Sequence, residues 1–68
     1  MSSDSLVKMA NQIAHYFDSE PNHELAVKGV RQHLQSFWTP AMRQQLGEWV
    51  EAHAGEGLDS KVLEALAT

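Results

Sequence analysis

The sequence predicts a small all-α fold, a bundle of three main helices plus a short C-terminal helix, in one domain covering residues 1–68. Three observations predict it. Apolar residues recur at helical spacing along each long segment. Pro21, Thr39-Pro40 and Gly55-Glu56-Gly57 punctuate the chain into four segments, most of which open on a good capping residue. No stretch alternates β-branched and polar residues over the length of a strand.

The first helix is expected at about 5–18, capped by Ser3 or Asp4 and stopped by Pro21. Leu6, Met9, Ala10, Ile13 and Phe17 share one face, and Val7, Ala14 and Tyr16 widen it beyond what one neighbouring helix needs. Lys8, Asn11, Gln12 and His15 form the wet side. The second, at about 22–38, starts on Asn22 and places Ala26, Val30, Leu34 and Phe37 in line, with Val27 beside them. Gly29 lies mid-helix, where it costs about 1 kcal/mol relative to alanine. Close approach of another backbone would account for it. Thr39-Pro40 joins a hydroxyl cap to a proline at the first helical position and starts the third helix, at about 40–54. Met42, Leu46, Trp49 and Val50 are its apolar side, and it frays out at Gly55. Asp59 can cap the last helix, at about 60–67, with Val62, Leu63 and Leu66 as its contacts.

Composition excludes several functions. The chain has 68 residues, no cysteine and a formal charge of −4. Thiolate metal sites, iron–sulfur ligation, disulfides and a thiol nucleophile are therefore impossible. The cations Lys8, Lys28, Arg31, Arg43 and Lys61 are scattered singly, so nucleic acid and anionic membrane are poor partners. The N-terminal residues lack the basic start and apolar stretch of a signal peptide, and no apolar run approaches spanning length. A soluble, cytoplasmic protein is expected. At this size folding buries only about 60% of the unfolded surface, which makes help from a partner physically reasonable.

Candidate chemistry is sparse. His15, His23, His33 and His53 lie 8, 10 and 20 residues apart, so no two share a helical turn as a helical zinc site requires. They read as solvated or core-edge histidines. Glu20 and Glu24 sit at a helix entrance, where carboxylates meet the dipole favourably. No serine occupies a nucleophile elbow, and Gly55-Glu56-Gly57 is too short and acidic to cradle phosphate. No catalytic, cofactor-binding or metal-ligating residue is assigned. The informative cluster is Phe37-Trp38-Thr39-Pro40-Ala41-Met42-Arg43. Successive helical side chains diverge by about 100°, so both rings cannot enter one small core. Phe37 continues the apolar face. Trp38 turns toward its edge, there either covering the inter-helix corner or protruding as an anchor for a partner. Arg43 is either a solvated charge or a donor to a partner carboxylate.

Around this cluster the chain resembles the delta subunit of NAD-dependent, molybdenum- or tungsten-containing formate dehydrogenases. The resemblance starts at Met9-Ala10-Asn11-Gln12-Ile13-Ala14 and the aromatic pair Tyr16-Phe17. It continues through Gly29-Val30-Arg31-Gln32-His33-Leu34 and Phe37 to Arg43, and closes with Gly57-Leu58-Asp59 and Val62-Leu63-Glu64-Ala65-Leu66. Thr39 and Ala41 depart from an acidic and a basic residue usual in the family. Thr39 keeps the capping role, and neither position carries a charge. The resemblance implies a cytoplasmic bacterial complex that oxidises formate and reduces NAD. Its other subunits carry the molybdenum or tungsten bis-pterin, the iron–sulfur clusters and FMN, while the delta chain holds no cofactor. The expected role is that of a non-catalytic accessory subunit supporting assembly or stability. Its partners would be the larger subunits, the alpha subunit first among them, with self-association when isolated. Phe37, Trp38, Thr39, Pro40, Met42, Arg43 and Trp49 are the expected partner-binding residues. The alternatives are a transient assembly or cofactor-loading factor for the same enzyme, or a small homodimeric helical regulator.

Overall fold

Helix starts are fixed by side-chain oxygens that accept from otherwise unpaired backbone amides. In the computed structural model, which describes residues 2–67, α1 spans Ser3–Tyr16, α2 His23–Phe37, α3 Pro40–His53 and α4 Ser60–Ala67. Asn22 Oδ1 accepts from the Leu25 amide at 3.1 Å, and Thr39 Oγ1 from the Met42 amide at 3.2 Å, both caps being as the sequence predicts. Asp59 caps α4, its Oδ1 accepting from the Lys61 amide at 2.8 Å. α1 starts earlier than predicted. Its cap is Ser2, whose Oγ accepts from the Ser5 amide, while Asp4 lies in the first turn and faces the positive end of the dipole. No strand occurs among the described residues, and the all-α fold is the one predicted.

The core forms where small residues let the helices approach. α1 contributes Leu6, Ala10 and Ala14, one turn apart and fully buried; α2 contributes Ala26, Val27, Val30 and Leu34. α3 gives only Leu46, whereas the short α4 gives Val62 and Ala65 and packs most extensively of all, on α2. The last helix is thus a wall of the core. Met9 and Ile13, predicted on the inner face of α1, are half-buried at its margin.

α1 does not continue as an α-helix to Asp18. It tightens into a 3-10 turn, Phe17–Ser19, which swings Phe17 across α2. The Phe17 ring covers Gly29 so closely that a Cβ there would lie 2.7 Å from Cζ. The close approach that explains this glycine is therefore an aromatic ring, not the backbone the sequence suggested. Gly47, in the middle of α3, is the opposite case: a Cβ there would meet nothing within 4 Å.

α3 ends in a defined closure rather than by fraying. Ala54 and Gly55 take left-handed backbone (φ 54° and 72°), and the Gly55 amide donates to Val50 O at 3.0 Å, as in a Schellman motif. Gly55 is buried under Leu63. The turn is then fastened to α1 by Asn11, read from the sequence as a solvent-facing residue. Its Nδ2 donates to Gly57 O at 2.9 Å, and its Oδ1 accepts from the Asp59 amide at 2.8 Å. This pairing satisfies both ends of the loop backbone and seats Leu58 in the core.

Lys61 ties α4 to the end of α1. Its side chain is 13% exposed and its Nζ donates to Asp18 Oδ1 at 2.7 Å, with Asp59 at 3.2 Å. The hydrogen bond from Lys61 holds the Asp18 carboxyl below its ordinary range, and the bond to Asp18, with Asp59 adding to it, raises the Lys61 ammonium above its own. A lowered acid stabilises the fold above its unfolded pKa, about 3.9, and loses that contribution as pH falls through the folded value. A raised base stabilises below about 10.4 and loses its contribution as pH rises through the folded value. In urea denaturation, the stability difference between wild type and Lys61→Met is expected to be flat from about pH 5 to pH 9 and to shrink on either side. The two mid-helix glycines are expected to respond with opposite signs. Gly47→Ala raises stability by about 1 kcal/mol. Gly29→Ala lowers it by about 1 kcal/mol, because displacing the Phe17 ring outweighs the helix gain. Equal stabilisation of both variants would show that the ring moves freely.

Candidate docking surface

Proline disfavours helical backbone in the residue before it. Thr39 is accordingly extended (φ −71°, ψ 157°), and Trp38 is extended as well (φ −95°, ψ 143°), so α2 stops at Phe37, one residue short of its predicted end. That residue reverses the two rings. Trp38 keeps the four-residue spacing of Ala26, Val30 and Leu34 and enters the core, 5% exposed. Phe37, predicted to continue the inner face, is 73% exposed.

The corner is closed from α3. Arg43 Nη1 donates to Trp38 O at 2.7 Å, just past the end of α2, and adds a bond at 3.1 Å to Leu34 O, which already accepts from the Trp38 amide, so a cation sits at the negative end of the helix. Two of the alternatives left open by the sequence are settled here. Arg43 is not a merely solvated charge, since this nitrogen is bound within the chain. Trp38 does not protrude as an anchor, because its side chain completes the core.

Outside this corner lies a groove of about 440 Å³ between α1, α2 and the start of α3, lined by Met9, Gln12, Ile13, Tyr16, His33, Phe37 and Met42, with Trp38 on its inner side. A second depression of about 340 Å³ continues it toward Phe17. Tyr16, 76% exposed, and Phe37 flank the groove. Tyr16 packs edge-on to Phe17 at 5.1 Å between centroids, and Phe37 packs against His33 at 4.7 Å. Each aromatic pair of the sequence is thus split, one ring packed against the core and its neighbour toward solvent. No Asp, Glu, Lys or Arg lines either depression. Of the expected partner-binding residues, Phe37, Trp38 and Met42 meet here. Thr39 and Pro40 lie beside the groove as cap and first residue of α3. Trp49 does not line it; half-buried, it stacks on His53 at 4.5 Å and 17°. Ile13, Tyr16 and His33 had no place in the expected set. The outward half of the Tyr16-Phe17 pair is the signal that points to them.

The sequence pattern of the family described as NADH-dependent formate dehydrogenase delta subunit, FdsD, matches residues 5–66. The chain belongs to this family. No curated protein and no solved structure matches it.

The signature segments of the delta chain largely serve its own fold. Asn11 clamps Gly57 and Asp59, joining two of them, and Arg43 caps the helix that carries a third. Its histidines are engaged separately. His15 meets Asp18 at 2.8 Å, His23 meets Glu64 at 2.5 Å, and His53 Nδ1 lies 3.0 Å from Trp49 O. Among the described residues no three His, Cys, Asp or Glu side chains converge in a way that could hold a metal ion, and no helix is long and apolar enough to cross a membrane.

Substitutions at the corner should therefore act on folding. Trp38→Ala is expected to cost about 3–5 kcal/mol, as deletion of a large core side chain does. Arg43→Met, which removes charged hydrogen bonds to the α2 carbonyls, is expected to cost about 2 kcal/mol. Thermal unfolding of the isolated chain checks both. Unchanged melting would show that the corner holds without them.

Proposed function

We propose that this delta chain is a non-catalytic accessory subunit that docks on the larger formate dehydrogenase chains through the groove between Tyr16 and Phe37. The observation that supports this reading is the pair of outward rings beside an uncharged groove. Large apolar side chains presented together on a small protein mark a surface that another molecule covers. Aromatic anchors with charge excluded from the centre are what protein interfaces select. Met9 and Met42 at the margin give such a surface adaptable contacts.

Family membership supplies the partner. A delta subunit assembles with other chains of its dehydrogenase, and the alpha subunit, which the sequence resemblance makes the carrier of the bis-pterin centre, is the proposed contact. Binding that favours only the assembled form stabilises it by mass action, with no chemistry asked of the delta chain. Without cysteine it ligates no iron–sulfur cluster through thiolates. The complex is proposed to work in the cytoplasm. The isolated chain would self-associate through the same rings.

Tyr16→Ser and Phe37→Ser probe the surface without touching the core. Each is expected to weaken association by about 2 kcal/mol, roughly thirtyfold, with far-ultraviolet circular dichroism unchanged. Co-purification with a tagged alpha subunit measures this. Full retention of both variants would move docking to another face. One delta chain per alpha subunit in active enzyme is the expected stoichiometry, and a trace amount would instead indicate a loading factor that departs.

A further inference from the structure

Two of the five cations of this acidic chain line one cleft. It has a volume of about 360 Å³, lies between α2, α3 and α4, and is lined by Arg31, Gln35, Arg43, Gln44, Gly47 and Leu66 among others, with no Asp or Glu. The Arg31 Nε is buried with no hydrogen-bond partner, and Arg31 forms no salt bridge among the described residues. A buried guanidinium N–H without an acceptor is destabilising unless something supplies one. Arg43 binds the α2 carbonyls through Nη1, and its Nε and Nη2 have no hydrogen-bond partner among the described residues.

Gly47 adds an independent observation. Gly29 is required by the Phe17 ring and Gly55 by its left-handed backbone under Leu63. Gly47 lies mid-helix beside open space, where it weakens α3 and nothing inside the molecule requires it. Its effect is to leave the α3 backbone bare along the cleft, so that another backbone can approach.

From these features we infer that the cleft receives an acidic side chain, Asp or Glu, on a segment of the partner subunit that passes over Gly47. Arginine matches a carboxylate through paired N–H donors, and the Gln35 and Gln44 amides suit flanking peptide groups. A phosphate chain is disfavoured by the net charge of −4 around only two cations. The inference rests on the accessory-subunit reading and adds a second, charged contact to the aromatic one.

The test uses full-length delta chain titrated into the formate dehydrogenase complex purified from cells that lack it, at low and high salt. Arg31→Gln is expected to weaken binding by about tenfold or more and to flatten its salt dependence. Gly47→Leu fills the cleft with a strong helix former, so it is expected to raise the melting temperature of the isolated chain while weakening binding to a similar degree. If Gly47→Leu melts higher and both variants bind like wild type, whereas Phe37→Ser fails, the cleft inference is overturned and the aromatic docking stands. If the cleft variants fail and Phe37→Ser binds fully, the cleft stands and the aromatic groove does not. Absence of wild-type binding overturns both.

Discussion

The backbone at Thr39-Pro40 constrains most of what surrounds it. Proline disfavours helix in the residue before it, and the chain is already extended at Trp38, so α2 must end while its last carbonyls still face the interior corner. Arg43, from the first turn of the next helix, supplies the donor to Trp38 O and a second one to Leu34 O. The same extended step turns Trp38 inward and leaves Phe37 outside. Core, corner and groove are therefore consequences of one backbone restriction, and the position of the exposed ring cannot be changed without reopening the helix end.

The far end of the molecule is held by a different device. Residues 54–57 form a turn with three positive φ angles, at Ala54, Gly55 and Gly57, whose own backbone bonds run to α3 and within the turn and give it no hold on α1. Asn11 supplies that hold by offering one donor and one acceptor, much as a strand neighbour would. Lys61 then draws Asp18 and Asp59 together across the α1 and α4 ends. Since α4 packs mainly on α2, these contacts close the bundle as a ring of mutual supports in which the shortest helix is needed as much as the longest.

How much of this was legible in the sequence follows from the range of each interaction. The starts of α2, α3 and α4 are readable because Asn22, Thr39-Pro40 and Asp59 act within a few residues of themselves. The Asn11 clamp reaches partners 46 and 48 residues away, and no periodicity reveals it. Phe37 lies outside, not on the inner face that the periodicity predicts, and Trp38 takes that face from its edge, because their facing depends on whether α2 stops at one or the other. Gly29 announced a close approach but could not name the Phe17 ring. Of the groove, the α2–α3 margin was visible as an aromatic cluster. Ile13, Tyr16 and His33 join it only because α1 lies alongside α2, which is a property of packing.

The alanines of the core carry a thermodynamic consequence. Ala10, Ala14, Ala26 and Ala65 are buried where larger residues would hold the helices apart. Their methyl groups let α1, α2 and α4 close around a narrow interior, but they expose little hydrocarbon when that interior opens. The heat-capacity increment of unfolding scales with such exposure, so these four positions add less to it than larger residues would. Where an interior is lined this way, stability changes less steeply with temperature than a bulkier lining would make it.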